Sequence, residues 1–375
     1  MSTENLAQLI FSNVILVDAL AHQAAQLDDH RVIVRLAQVN WLSFKCAAPL
    51  IWRTVQWTSR FRVEVILTML TAQLGDMGTR KQRRRARRKG MQFWRPLLPY
   101  QTYIKHVKLL IATDRPFDRI GSPQVQEILR VCPNLKSFAI YGIELYRKDL
   151  ALLYRLHPNL TGLHLIDVSV KTRLFSLARF RHLEEFTCYD DMLWDEILEQ
   201  ILLRNRETLK RLSVRSEFVQ DECYVYIKWT VGKILEHLDI TPGYHHHSPG
   251  LEMIAESCWN LQTFFLRNEG EIVHPWFFQQ DFEKLLENKK KLRICEFHNF
   301  NMDPEAIQRI AAELPNMQLL VLTTLPDQQP HYYGRIHGRW TKLDMLKEQP
   351  DPVFNDAYRE YQKINGERAR LPAPL

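Results

Sequence analysis

Val125-Gln-Glu-Ile-Leu-Arg-Val-Cys-Pro-Asn-Leu135-Lys-Ser-Phe138-Ala-Ile140 contains two periods in one short stretch. Val125, Ile128 and Leu129 fall on one side of a 3.6-residue helix, Pro133-Asn134 breaks it, and apolar residues then alternate in the manner of a short strand. The same order recurs along the chain. An LxxLxL skeleton stands at Leu135/Phe138/Ile140, Leu160/Leu163/Leu165, Leu183/Phe186/Cys188 and Leu209/Leu212/Val214. It continues at Leu235/Leu238/Ile240, Leu261/Phe264/Leu266, Leu292/Cys295/Phe297 and Met317/Leu320/Leu322. Successive starts are 25, 23, 26, 26, 26, 31 and 25 residues apart, and a weaker unit, Ile104/Val107/Leu109, lies 31 residues before the first. His-Pro-Asn-Leu160, Cys-Trp-Asn-Leu261 and Leu-Pro-Asn-Met317 repeat the turn.

Each unit therefore reads as helix, tight turn, strand and loop. No unit of this length can bury its apolar side alone, so the units must stack around a shared core. The three skeleton residues point inward, and strand alternation sends the residues between them to the opposite face. An α-solenoid is the competing architecture, but Phe138-Ala-Ile-Tyr, Leu163-His-Leu-Ile and Phe264-Phe-Leu are strand-like cores. The pattern over about 220 residues is similar to the leucine-rich repeat family, which implies an α/β solenoid with parallel strands on the concave face and helices on the convex face. The family's loop Asn, eight residues after the first Leu, is absent: Ile143, Val168, Asp191, Glu217, Gly243, Glu269, Phe300 and Leu325 stand there. Without that ladder, irregular turns and units of uneven length are expected.

The residues preceding the repeats follow another rule. Phe11 to Leu27 reads as an apolar helix, and Asp28-Asp29 can cap a second one carrying Val32, Leu36 and Val39 on one face before Pro49 interrupts. Leu36-Ala-Gln-Val39 followed by Ala47-Ala-Pro-Leu-Ile-Trp52-Arg-Thr-Val55 resembles the second half of an F-box, although no Leu-Pro opens the segment and Ser43 replaces a frequent Trp. The resemblance implies docking on a Skp-type adaptor and, through it, a cullin scaffold. By analogy the adaptor would meet Phe11, Val14, Ile15, Leu36, Val39, Pro49, Leu50 and Trp52. A plain helical cap over the first repeat's core is the alternative.

The chain of 375 residues has 46% hydrophobic and 11% aromatic residues, a core-forming composition. Its net charge of +7 is concentrated: Arg80, Lys81, Arg83, Arg84, Arg85, Arg87, Arg88 and Lys89 supply eight positive charges, and without them the rest carries −1. A basic face covering a domain, the mark of a nucleic-acid binder, is thus not indicated. The run reads as a nuclear-import signal, a solvated loop or, least of all, a direct nucleic-acid contact. The six cysteines are scattered with no CxxC pair, a pattern of free thiols. The opening residues lack the basic and apolar regions of a signal peptide, and no apolar run approaches the ~18 residues of a membrane span. A soluble protein of the cytoplasm or nucleus is expected.

Chemistry-bearing motifs are sparse. His245-His246-His247 lies between Pro242 and Pro249 and reads as a loop, since neighbouring imidazoles need further ligands to hold a metal. Asp28-Asp29 and Asp190-Asp191 are adjacent pairs whose side chains diverge in either helix or strand, so they read as cap or turn residues. HExxH, GxSxG and P-loop patterns do not occur. The expectation is a non-enzyme without cofactor or metal. Alternation from the skeletons places His164, Tyr189, Arg211, Arg215, Asp239, Phe265, Arg267, Glu296 and His298 on the outward strand face. These mixed charges and rings suit a protein target better than a polyanion.

The expected organisation is an F-box-like helical module over 1–56, a helical linker over 57–79, a basic disordered loop over 80–100, the solenoid over 101–325, and a C-terminal cap and mobile tail over 326–375. With the F-box resemblance, this implies the substrate-recognition subunit of a cullin-type ubiquitin ligase. The alternative is a free-standing repeat adaptor with no ligase link, nuclear if the basic run is an import signal.

Overall fold

All three skeleton positions are buried in each of the eight units, from Leu135, Phe138 and Ile140 to Met317, Leu320 and Leu322. The computed structural model describes residues 19–21, 41–57, 63–64, 67, 100–110, 120–168, 174–189, 193–215, 222–241, 249–267, 279–288, 290–300, 303–324, 330–336, 339–343, 356–362 and 364. They divide between two compact units, one formed by 1–143 with 151–160, the other by 144–150 with 161–375. Most of the F-box-like segment, the whole Arg80–Lys89 run, the three adjacent histidines and both aspartate pairs lie outside the described residues.

In the first unit, the helix Trp41–Ile51 runs directly into β1 (Thr54–Trp57), which pairs in parallel with β2 (His106–Leu110), which pairs with β3 (Ser137–Tyr141). Val55, Val107 and Phe138 share one register row and are buried. The Trp41–Ile51 helix closes with Trp52 N–H donating to Ala48 O at 3.0 Å, and Ala47 and Ala48 are fully buried. The helix Ser122–Val131 opens with Pro123 in its first turn, where the missing N–H has no cost, and buries Val125, Ile128 and Leu129. His157, at the end of the Arg147–Leu156 helix, reaches back through Nε2 to Leu129 O at 2.9 Å, and burial lowers its pKa.

In the second unit, β4 (Gly162–Ile166), β5 (Glu185–Tyr189), β6 (Arg211–Arg215), β7 (His237–Thr241), β8 (Thr263–Arg267), β9 (Ile294–Phe300) and β10 (Leu319–Thr324) pair in parallel in chain order. β11 (Pro330–Ile336) and β12 (Arg339–Leu343) then continue the sheet antiparallel. Between strands stand a 3-10 turn, Leu174–Arg179, and the helices Asp195–Arg204, Glu222–Trp229, Pro249–Ser257, Gln279–Asn288 and Pro304–Glu313, each packed on the next. Their apolar stripes, such as Ile197/Leu198/Ile201/Leu202, close the core against the skeleton residues. Two helices approach closely at Gly250, where a Cβ would stand 2.3 Å from the Tyr224 ring. The architecture is an α/β solenoid of the leucine-rich-repeat type.

In four units a side chain just before the strand takes over the task of the missing loop Asn. Asn134 donates through Nδ2 to Thr102 O (2.9 Å), Asn260 to Lys233 O (2.6 Å) and Asn316 to Lys290 O (2.7 Å). In each case the acceptor lies two residues before the previous unit's first skeleton residue. Thr208 does related work through Oγ1, donating to Leu183 O at 2.8 Å. The carbonyl following a skeleton's first residue accepts two N–H groups from the next unit, as Glu236 O does from Gln262 and Thr263. The ladder is thus displaced to the turn, which frees the loops after the strands to differ in length. Asn316→Ala should cost about 1 kcal/mol, the ordinary net value of such a bond. Urea denaturation measures it, and an unchanged midpoint would mean that water replaces the amide.

One boundary differs from expectation. The repeat sheet starts at β1 rather than near residue 101, because Val55 and Trp57 alternate inward as skeleton residues do, so a module boundary at 56 would cut a strand. The region after 325 adds two strands, β11 and β12, to the sheet. Residues 356–362 are helical, and Ala357 and Tyr361 are buried.

Candidate functional site

Alternation places three side-chain rows on the sheet face opposite the helices of the second unit. One row runs Glu185, Arg211, His237, Thr263, Ile294, Leu319. The middle row runs His164, Thr187, Ser213, Asp239, Phe265, Glu296, Val321, Tyr332. The third contains Tyr189, Arg215 and Thr241, then Arg267, His298 and Thr323. All nine residues expected to meet a target lie on these rows. Sequence reasoning passed over Glu185, His237, Ile294, Leu319 and Val321, which the same alternation from each skeleton would have supplied.

Their accessibility separates the face into zones. Over β4–β6 the face is partly open. Arg211 is exposed, while His164 and Arg215 are half-buried. His164 Nδ1 lies 3.0 Å from Thr187 Oγ1, and its Nε2 is 3.6 Å from Glu185 Oε2. Arg211 Nε reaches the other oxygen of the same carboxylate at 3.7 Å. These partly exposed pairs contribute little to stability and leave the groups able to exchange partners.

Over β7–β9 the face is sealed. Asp239, Phe265, Arg267 and Glu296 are buried there, together with Tyr189 of β5, contrary to an outward reading of the strands as a solvated surface. The reason is mutual satisfaction. Arg267 donates from Nη1 to Asp239 Oδ2 at 3.1 Å and from Nη2 to Glu296 Oε2 at 2.5 Å. Tyr189 Oη donates to the same Asp239 oxygen at 2.9 Å, and the guanidinium stacks 4.6 Å from the Phe265 ring centroid. Burial alone would lower the Arg267 pKa, but the two carboxylates outweigh it and raise it. Burial, with the Asp239 charge added, pushes the Tyr189 phenol well up. His237 sits edge-on to Phe265 at 5.5 Å, with Nε2 3.4 Å from Ser213 Oγ. Its Nδ1 is buried without a hydrogen-bond partner among the described residues. Burial lowers its pKa to about 4, so the imidazole is neutral.

Over β8–β10 the face turns apolar, and the chain's own C-terminal segment lies on it. Phe265, Ile294, Leu319 and Val321 form one buried cluster with Ala357 and Tyr361, with Tyr332, Tyr358 and Ile364 packed around. The spacing Ala357, Tyr358, Tyr361, Ile364 is an amphipathic helical signal present in the sequence, obscured there by the Pro- and charge-rich surroundings.

Of the eight residues expected to meet an adaptor, Phe11, Val14, Ile15, Leu36 and Val39 lie outside the described residues. Pro49, Leu50 and Trp52 are half-buried together where the Trp41–Ile51 helix turns into β1. The described residues hold no group of three or more His, Cys, Asp or Glu placed to bind a metal, and no helix among them is long and apolar enough to cross a membrane. None of the six cysteines is in a disulfide, and burial pushes Cys132 up to about 12, so that thiol is inert near neutrality.

No protein-family model matches the chain, and no curated protein matches it. Among solved structures, it is similar to the crystal structure of the Rad7 and Elc1 complex in yeast, at 11% identity and a TM-score of 0.37, covering 72% of this chain and 90% of that one. It is also similar to the leucine-rich repeat-containing protein LegL7 from Legionella pneumophila, at 13% identity and a TM-score of 0.33, covering 70% of this chain and 82% of that one.

Proposed function

We propose that this chain is a substrate-recognition subunit of a cullin-type ubiquitin ligase, with an N-terminal segment that docks on a Skp-type adaptor and repeats that hold a target protein. The observation that carries the reading is the inner face itself. A rigid parallel sheet presents mixed charge at Arg211, Glu185, His164 and Arg215 beside an aromatic zone able to seat a helix. That is an interface composition. The chain carries no catalytic residue of its own. It acts by raising the local concentration of target lysines near a charged conjugating enzyme. Pro49, Leu50 and Trp52, clustered at the end of the Trp41–Ile51 helix, are the described part of the adaptor surface.

Capture of the full chain by an immobilised recombinant Skp-type adaptor tests this. Leu50→Asp should reduce capture about tenfold or more if the residue is an interface anchor, with circular dichroism checking that the fold is kept. No capture of the unaltered chain, or equal capture of the variant, overturns the ligase reading.

One feature favours a second reading, a free-standing repeat adaptor. β1 pairs directly with β2, so the Trp41–Ile51 helix is continuous with the solenoid and can serve simply as its N-terminal cap. Under that reading the adaptor captures neither form.

A further inference from the structure

A strand face opposite the repeat core should be polar, yet Phe265, Ile294, Leu319 and Val321 bring four apolar side chains together there across three neighbouring strands. They lie outside the repeat core, which the skeleton residues fill on the other side of the same strands. What covers them is the helical segment 356–362. Tyr361 meets Phe265 edge to face at 5.9 Å and Tyr332 at 6.3 Å, Tyr358 meets Tyr332 at 6.0 Å, and Ala357 is fully buried. At the rim, Arg293 Nη1 stands 3.5 Å from Glu360 Oε2, both side chains about one-third exposed at 34%. The same guanidinium donates to Gln318 Oε1 at 3.0 Å, which fixes it at the edge of the patch.

We propose that this patch is a docking site for an amphipathic, tyrosine-bearing helix of a partner protein, and that segment 356–362 is its intramolecular occupant. The inference rests on the reading of the repeats as a protein-binding face and names the kind of target they take. Three physical points carry it. A helix of two turns is unstable on its own in water, so the segment is helical because the patch holds it. Its pattern, apolar at 357, 358, 361 and 364 with an acid at 360, is that of a ligand helix laid in a groove. The repeat core survives its departure, since no skeleton residue belongs to the covered cluster. The segment belongs to the same chain as the patch, so the two meet at an effective concentration on the order of millimolar. A partner helix must therefore outcompete the tethered one, and the closed form sets a threshold of affinity or concentration for target capture.

The test uses a fluorescent peptide of residues 354–366 and the full-length chain, read by anisotropy. The unaltered chain should bind it weakly, because its own segment occupies the patch. A full-length chain carrying Tyr358→Ala and Tyr361→Ala should bind it at least tenfold more tightly. A peptide carrying Tyr361→Ala should not bind that chain. Should the double variant fail to fold by circular dichroism, a Glu360→Arg chain decides alone. Its change sits at the rim, its repulsion from Arg293 loosens the segment, and it should gain affinity for the unaltered peptide a few-fold. Equal affinity of altered and unaltered chains, or failure of a folded variant to bind, overturns the proposal. Adaptor capture of the same chains is expected to be unchanged. Lost capture with retained peptide binding would thus sink only the ligase reading, and the reverse result only this one.

Discussion

The Arg267→Met chain should lose about 3–5 kcal/mol of stability, a large part of what a domain ordinarily possesses. Methionine fits the space of the aliphatic stem and still covers the Phe265 ring, so the loss comes from charge. Asp239 and Glu296 are both buried, and Arg267 bridges them with one hydrogen bond to each. Without it, two carboxylates lie in a low-dielectric setting with only Tyr189 Oη donating to Asp239 Oδ2 among the bonds described above. An uncompensated buried charge is far costlier than the same pair is stabilising. The corollary is non-additive: Asp239→Leu, Arg267→Met and Glu296→Leu made together should cost less than Arg267→Met alone. Because the cluster is buried, its contribution should persist at high salt, where surface pairs fade. Urea denaturation of the three chains checks all of this, and a loss under about 1 kcal/mol for Arg267→Met would refute the account.

Acid should weaken the fold through His237. Burial holds its folded pKa at about 4, below the ordinary 6.5 of an exposed imidazole, with Asp239 opposing and Arg211 and Arg267 adding to the shift. The unfolded chain therefore takes up a proton near pH 6.5 that the folded chain refuses until about pH 4. Protons favour the unfolded state across that window, so stability falls as pH drops from 6.5, by about 3 kcal/mol once pH 4 is passed. Above pH 6.5 both states are neutral and the residue adds no pH dependence. His157, whose pKa burial also lowers, acts with the same sign, so the comparison must be made by difference. The denaturation midpoint of His237→Gln should decline less between pH 6.5 and 4 than that of the unaltered chain, and parallel curves would exclude the mechanism.

The repeats were legible because they depend on local periodicity. Every skeleton triplet named from LxxLxL spacing is buried, and the Pro-Asn turns stand where the strands begin. Leu261 shows why: a residue whose burial follows from its place in the unit can be read from the unit. The inner face was legible only as a direction. Alternation put Asp239, Arg267 and Glu296 on one side of the sheet, but strands supply them from positions 28 and 29 residues apart, and no local pattern says that they will neutralise one another. The covering segment was missed for a similar reason. Tyr358 and Tyr361 meet Phe265 and Tyr332 through tertiary packing, while the nearby prolines and charges read as a tail. The displaced ladder is half-visible in the sequence: Asn134 and Asn316 read there as turn formers, whereas their amides tie one unit to the preceding one.

The reversal of direction at β11 also bears on solubility. β10, Leu-Leu-Val-Leu-Thr-Thr, is an uncharged six-residue run of high strand propensity and lacks proline, the composition that seeds cross-strand assembly when its edge is bare. β11 pairs along it antiparallel, and β12, Arg339-Trp-Thr-Lys-Leu343, follows as the last strand of the sheet, with Lys342 exposed. A charged, short edge strand deters pairing with another molecule. The hairpin thus acts as a gatekeeper, and a chain ending at Thr324 should fold its repeats yet precipitate through an unguarded β10.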